Sequence, residues 1–132
     1  MAVRQDEIPP HRVLREVYRH YLEFRALVAQ DGRNHVLEHG YYIEDPETGE
    51  RRKASLTLSF WDLRNDVNKL AARKKEAFFY NVILDMKQRD VAAKMKITTV
   101  SVGQYVEAAC EQLAQRYFTE EELASYKASK QK

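Results

Sequence analysis

Hydrophobic positions change their spacing along the chain, and each change marks a predicted element. After Pro9-Pro10, the residues Val13, Leu14, Val17, Tyr18, Tyr21, Leu22, Leu27 and Val28 recur every three to four positions. Arg15, Arg19, Glu23 and Arg25 fall mostly between them. That spacing predicts one amphipathic helix of about five turns. Proline's fixed φ is tolerated in its first turn, and Asp31-Gly32-Arg33-Asn34 stops it. The period then shortens. Tyr41, Tyr42 and Ile43 precede Asp45-Pro46-Glu47-Thr48-Gly49-Glu50, after which Ala54 to Phe60 alternates around Leu56, Leu58 and Phe60. This predicts a β-hairpin, with Pro46 at the second position of a type I turn and Gly49 as the left-handed residue behind it.

Helical spacing returns at Ser59, an N-cap candidate with Asp62 in the capping-box position. Leu63, Val67, Leu70 and Ala71 form the stripe of the helix it starts. From Arg73 onward the turn signals are Asp85-Met86-Lys87 and the Lys96 to Thr98 segment. Between them Val91, Ala92 and Met95 give a short helix one apolar face. Thr98 is placed to cap a longer helix whose stripe is Val102, Val106, Ala109, Leu113 and Tyr117. Thr119 followed by Glu120-Glu121-Glu122 caps a last short helix, acids suiting its first turn. The small, polar tail from Ser125 to Lys132 is expected to fray. A short helix, a tight turn and a longer helix are the skeleton of a helix-turn-helix. The fold class expected is mainly α, with residues 1–72 supplying an N-terminal helix, the hairpin and a linking helix, and 73–132 the helix-turn-helix domain.

Composition narrows the function classes. At 132 residues the chain has room for one compact domain. No apolar run approaches a membrane span and no apolar signal region opens the chain. Cys110 is the single cysteine, so an internal disulfide is excluded and a cytoplasmic location is expected. The net charge is +2, and its distribution says more than its size. Within 73–118, eight Lys or Arg stand against five Asp or Glu, while the other segments balance or lean acidic. Local positive charge is what nucleic acid attracts.

The run Gln88-Arg89-Asp90-Val91-Ala92-Ala93-Lys94-Met95-Lys96-Ile97-Thr98, continued by Thr99-Val100-Ser101-Val102, resembles region four of bacterial sigma factors, the domain that reads the upstream promoter element. Val106, Ala109 and Leu113 fall at that family's apolar spacing, and Lys74-Lys75-Glu76-Ala77-Phe78-Phe79 resembles its preceding helix. The resemblance covers about a third of the chain. It implies a sequence-specific DNA-binding regulator of transcription, with double-stranded DNA as partner and RNA polymerase and a second copy of the chain as further partners. The matched base-reading positions are Thr99, Val100, Ser101, Gly103 and Gln104. Glutamine suits adenine, and Thr or Val methyls pack on thymine. Phosphate anchoring falls to Lys87, Arg89, Lys94 and Lys96, joined by the cluster Arg73, Lys74 and Lys75. The size and layout are similar to those of small regulators of bacteriophages and mobile elements.

Three departures stand out. Lys96 replaces the glycine usual in the turn, so a lysine must take that conformation or the turn differs. No Lys or Arg occurs between Thr98 and Gln115, and Glu107 and Glu111 add negative charge there. Two rival readings follow. One is a region-four mimic that binds RNA polymerase or a sigma factor without reading DNA; the other is a DNA-recognition subunit for genome packaging. Arg51-Arg52-Lys53 reads first as a solvated strand start and only second as a phosphate or partner contact. His35-x-x-x-His39 has metal-compatible spacing but lies between glycines with only Glu38 nearby, so no metal or other cofactor is expected. Cys110 reads as a small core residue. No residue constellation suggests catalysis, and the chain is expected to act by binding, not as an enzyme.

Overall fold

The computed structural model describes residues 8–131. It is mainly helical, with a two-stranded antiparallel hairpin set between helices. Helix α1 spans Pro10–Arg19 and α2 spans Tyr21–Asp31. The single long helix expected from the apolar spacing is therefore broken. At His20 the backbone leaves the helical basin (φ −92°, ψ 5°), and its N–H turns back to the Val17 and Tyr18 carbonyls. The break lets α1 bury Val13, Leu14, Val17 and Tyr18 in the centre while α2 packs on the next helix, with Phe24 stacked on Phe60. Leu27, expected in the stripe, is 47% exposed. Gly32 ends α2 in the left-handed region at φ 72°.

Strands β1 (Val36–Glu44) and β2 (Arg51–Ser59) pair from Val36 opposite Ser59 to Glu44 opposite Arg51. Tyr41, Ile43, Leu56 and Leu58 are buried. Because residues directly opposite one another share a face, all four lie on one side of the ribbon. Asp45 shapes the connection: its Oδ1 accepts from the Glu47 and Thr48 N–H groups at 2.8 and 3.4 Å. Gly49 closes it at φ 76°. The hairpin is the expected one, but β1 begins five residues before Tyr41.

Helix α3 (Phe60–Asn68) starts where expected, Ser59 accepting from the Asp62 N–H at 3.2 Å. Leu63, Val67 and Leu70 are buried, but Ala71 is exposed, because α3 has ended before it. Helix α4 (Ala72–Phe78) runs into a π-helical turn over Phe79–Ile83 and ends at Asp85, a non-glycine residue at φ 56°. Helices α5 (Gln88–Met95), α6 (Thr99–Tyr117) and α7 (Glu120–Lys130) complete the chain. Thr119 and Glu122 form a reciprocal capping box at the start of α7. That helix continues to Lys130 and buries Tyr126, so the segment from Ser125 expected to fray is a packed helix through Lys130.

One core gathers side chains from both sides of residue 72. Tyr18 meets Phe78 edge-on at 5.0 Å, and Tyr41 lies against Phe118 at 5.8 Å. A polar network crosses the same junction. The Tyr18 hydroxyl sits 3.2 Å from both the Leu63 carbonyl and the Tyr117 hydroxyl. Tyr117 donates to Asp66 at 2.7 Å, and Arg116 Nε donates to the other carboxylate oxygen at 3.1 Å. Burial holds the Tyr18 and Tyr117 hydroxyls well above the usual tyrosine range, with the Asp66 charge adding to the shift. No helix among the described residues is long and apolar enough to cross a membrane.

Candidate nucleic-acid interface

Helix α5 presents two faces. Val91, Ala92 and Met95 are buried against the body of the protein, while Arg89, Asp90, Ala93 and Lys94 are exposed. Three residues, Lys96 to Thr98, connect it to α6. Lys96 stands at φ 59°, ψ 45°, the left-handed conformation that a glycine would take without steric cost. The turn is thus made in the manner expected for glycine, with a lysine carrying the strain. The Lys96 and Ile97 N–H groups both reach the Ala92 carbonyl, which satisfies the end of α5. Lys96 itself is exposed.

Thr98 then caps α6. Its Oγ1 accepts from the Ser101 N–H at 3.0 Å and donates to the Ser101 hydroxyl at 2.9 Å. Val102, Val106, Ala109, Cys110, Leu113 and Ala114 bury one side of the helix. The opposite side is open at its N-terminal end: Thr99 and Gln104 are exposed, and Val100 is 70% exposed. A β-branched apolar side chain held that far into solvent gains little from the fold. The N-terminus of a long helix also carries partial positive charge.

The structure brings together some of the predicted site residues and separates others. Thr99, Val100 and Gln104 share the open end of α6. Lys87, Arg89, Lys94 and Lys96 are all exposed on α5 and its two flanks. Arg89 makes a loose pair with Asp90 at 4.0 Å, and Lys94 lies 5.1 Å from the centre of the Tyr80 ring. Ser101 is half-buried, its hydroxyl held by Thr98. Gly103 faces α5: a Cβ there would stand 3.6 Å from the Gln88 side chain. Its place is in the packing of the two helices rather than on the open surface. Lys74 and Lys75 are half-buried on α4, and Lys74 donates to Gln112 at 3.2 Å. Gln112 lies thirteen residues along α6 from Thr99, roughly 20 Å at the helical rise, so Lys74 is remote from the open end.

Arg73 replaces Lys74 in the arrangement. Its guanidinium reaches the Met95 carbonyl at 3.4 Å and pairs with Glu76 at 3.8 Å, which sets a further cation beside the turn. The Arg73-Lys74-Lys75 cluster was visible in the sequence, but nothing local distinguished its first member. Elsewhere, Arg51 lies over the Tyr42 ring and pairs with Glu44, and Arg52 pairs with Glu121 of α7. His35 bonds Asp31, and His39 bonds the Gly40 carbonyl from within β1. Among the described residues no three His, Cys, Asp or Glu side chains are grouped to hold a metal ion. Cys110 is buried, and burial pushes its thiol up to about 11. No family model, no curated protein and no solved structure matches this chain.

Proposed function

We propose that the chain is a sequence-specific DNA-binding regulator of transcription that lays the N-terminal half of α6 in the major groove. The observation carrying this reading is the open end of α6, where exposed Val100 stands between Thr99 and Gln104, with Lys87, Arg89, Lys94 and Lys96 exposed on the preceding α5 and its flanks. Val100 and the Thr99 methyl would pack on thymine methyls, and Gln104 would read adenine with two hydrogen bonds. The cations on α5 and the turn would hold the phosphates on either side. The resemblance of residues 88–102 to sigma-factor region four supports the same orientation. It also extends the reading to RNA polymerase as a partner at promoters, to a homodimer, and to the cytoplasm as the place of action.

The rival reading, a region-four mimic that binds RNA polymerase or a sigma factor and ignores DNA, draws its support from the absence of Lys and Arg between Thr98 and Gln115, with Glu107 and Glu111 there as a lesser point. Glu107 and Glu111 are not free charges: both pair with Lys130 of α7. Titration of labelled A·T-rich and random duplexes at two salt concentrations separates the readings. Four phosphate contacts give a log-log salt slope of roughly −4, with tighter binding to the A·T-rich duplex. No binding to either duplex at low salt would overturn the proposal in favour of the mimic.

A further inference from the structure

The helical stripe that carries Val100 and Gln104 continues through half-buried Glu107 to exposed Glu111. Val100, Gln104, Glu107 and Glu111 are spaced by four, three and four residues, so they form one stripe on the helix. The two carboxylates lie roughly 10 and 16 Å along the axis from Val100 at the helical rise. Phosphates bordering the groove entered by Val100 and Gln104 would pass within about one Debye length, near 8–10 Å at physiological salt. Two uncompensated negative charges there would oppose docking.

Helix α7 meets that difficulty from the far end of the chain. Lys130 Nζ contacts Glu107 Oε1, an oxygen closed off from solvent, and stands 3.0 Å from Glu111 Oε1. Its place is set by packing and not by a free tail. Tyr126, one turn earlier, is fully buried, and the Lys130 ammonium lies 5.4 Å from the centre of that ring. Ser129, beside it, bonds His11 of α1 at 2.9 Å. The end of α7 is therefore fastened to α1 while its cation is fastened to α6.

We infer that Lys130 is a positioning residue for DNA binding, holding Glu107 and Glu111 in one ion-paired cluster so that the reading face of α6 carries one net negative charge there instead of two and repels phosphate less. The inference rests on the proposed DNA-binding role. It assigns α7 an electrostatic task in addition to closing the core. Lys130 touches no nucleic acid in this arrangement and acts through the two carboxylates.

Binding of the full chain to one A·T-rich duplex across a salt series tests it, alongside thermal melts. Lys130→Ala should weaken binding about three- to eightfold near 0.1 M salt, the upper figure being what one full phosphate contact contributes. The loss should shrink as salt rises, and Lys130→Arg should bind like the parent. Adding Glu107→Gln and Glu111→Gln to Lys130→Ala should restore binding, with no need for any recovery in melting temperature. A purely structural Lys130 gives the opposite pattern, in which affinity follows the melt and the triple variant is no better than Lys130→Ala. That pattern overturns the inference, as does a Lys130→Ala variant equal to the parent at every salt. If the unaltered protein binds no duplex, the DNA-binding reading fails and takes the inference with it. If it binds and Lys130→Ala is silent, only the inference fails.

Discussion

Replacing Asp66 by alanine removes the acceptor at the centre of the network that joins α1, α3 and α6. Breaking a fully buried ion pair costs about 3–5 kcal/mol, because the surviving charge is stranded. Here the surviving charges are not stranded: Arg116 is 60% exposed and Lys69 63%, so both regain water. What loses its best acceptor is the Tyr117 hydroxyl, which donates to Asp66 at 2.7 Å and keeps only the Tyr18 hydroxyl at 3.2 Å, a loss of about 1 kcal/mol. Adding a charge-assisted bond from Arg116 brings the expected loss to about 2–3 kcal/mol. For a domain of this size that is a fall in Tm of about 8–12 °C. Asp66→Asn keeps an acceptor for Tyr117 and should cost about 1 kcal/mol. Tyr117→Phe removes the same hydrogen bond from its other end, so the Asp66→Ala/Tyr117→Phe double variant should lose less than the sum of the singles, with a coupling of about 1 kcal/mol. Denaturant melts of the four proteins measure this. Strict additivity, or an Asp66→Ala loss below about 0.5 kcal/mol, would refute the reasoning.

Lys96→Gly should raise stability by about 0.5–1 kcal/mol through relief of the positive φ and at the same time weaken DNA binding and flatten the salt slope by about one. A destabilised Lys96→Gly protein would contradict the turn described above. Cys110 should resist thiol reagents at pH 8 until the chain unfolds, which a colorimetric thiol titration with and without denaturant will show. Its thiol sits at about 11 in the fold against 9.0 ordinarily, so the folded state holds the extra proton between those values. Stability from this group is complete below pH 9 and is lost as pH rises toward 11. A melt series showing stability rising over that window would count against it. The fragment 73–132 should show no cooperative melt alone, since Phe78 and Phe118 lose Tyr18 and Tyr41; a sharp thermal transition would show the fragment to be self-sufficient.

Local chemistry announced most of the elements. Ser59, Thr98 and Thr119 each sit before a helical stripe, and each accepts from a backbone N–H three residues on. The alternation around Leu56 and Leu58 marked β2, and the stripe from Val102 to Leu113 marked the buried side of α6. The break at His20 left no trace, because the apolar spacing runs through it. The packing of Tyr21 and Phe24 on Phe60, distant in sequence, is what turns α2. The first half of β1 carries no strand signal, because Glu38 and His39 are polar and Gly40 favours no strand; its pairing with β2 is what makes it extended. The end of α7 was hidden for a similar reason. Its partners, His11 in α1 and Glu107 and Glu111 in α6, are long-range and leave a small, polar sequence that reads as a tail. On the candidate interface, the resemblance to sigma-factor region four pointed to Thr99, Val100 and Gln104, and all three lie exposed at the start of α6. The resemblance could not show that Gly103 meets Gln88, that Lys74 belongs to Gln112, or that Arg73 reaches the turn.

If α6 reads bases while α5 and the turn hold phosphate, two variants on two duplexes will separate the two tasks. Gln104→Ala should cost about 1–3 kcal/mol on the preferred A·T-rich site and little on random DNA, as loss of a base contact does. Arg89→Ala should weaken both duplexes by a similar factor and flatten the salt slope by about one. If both variants bind every duplex as the parent does, and at least one weakens binding to purified RNA polymerase, that division is contradicted and the mimic reading takes its place.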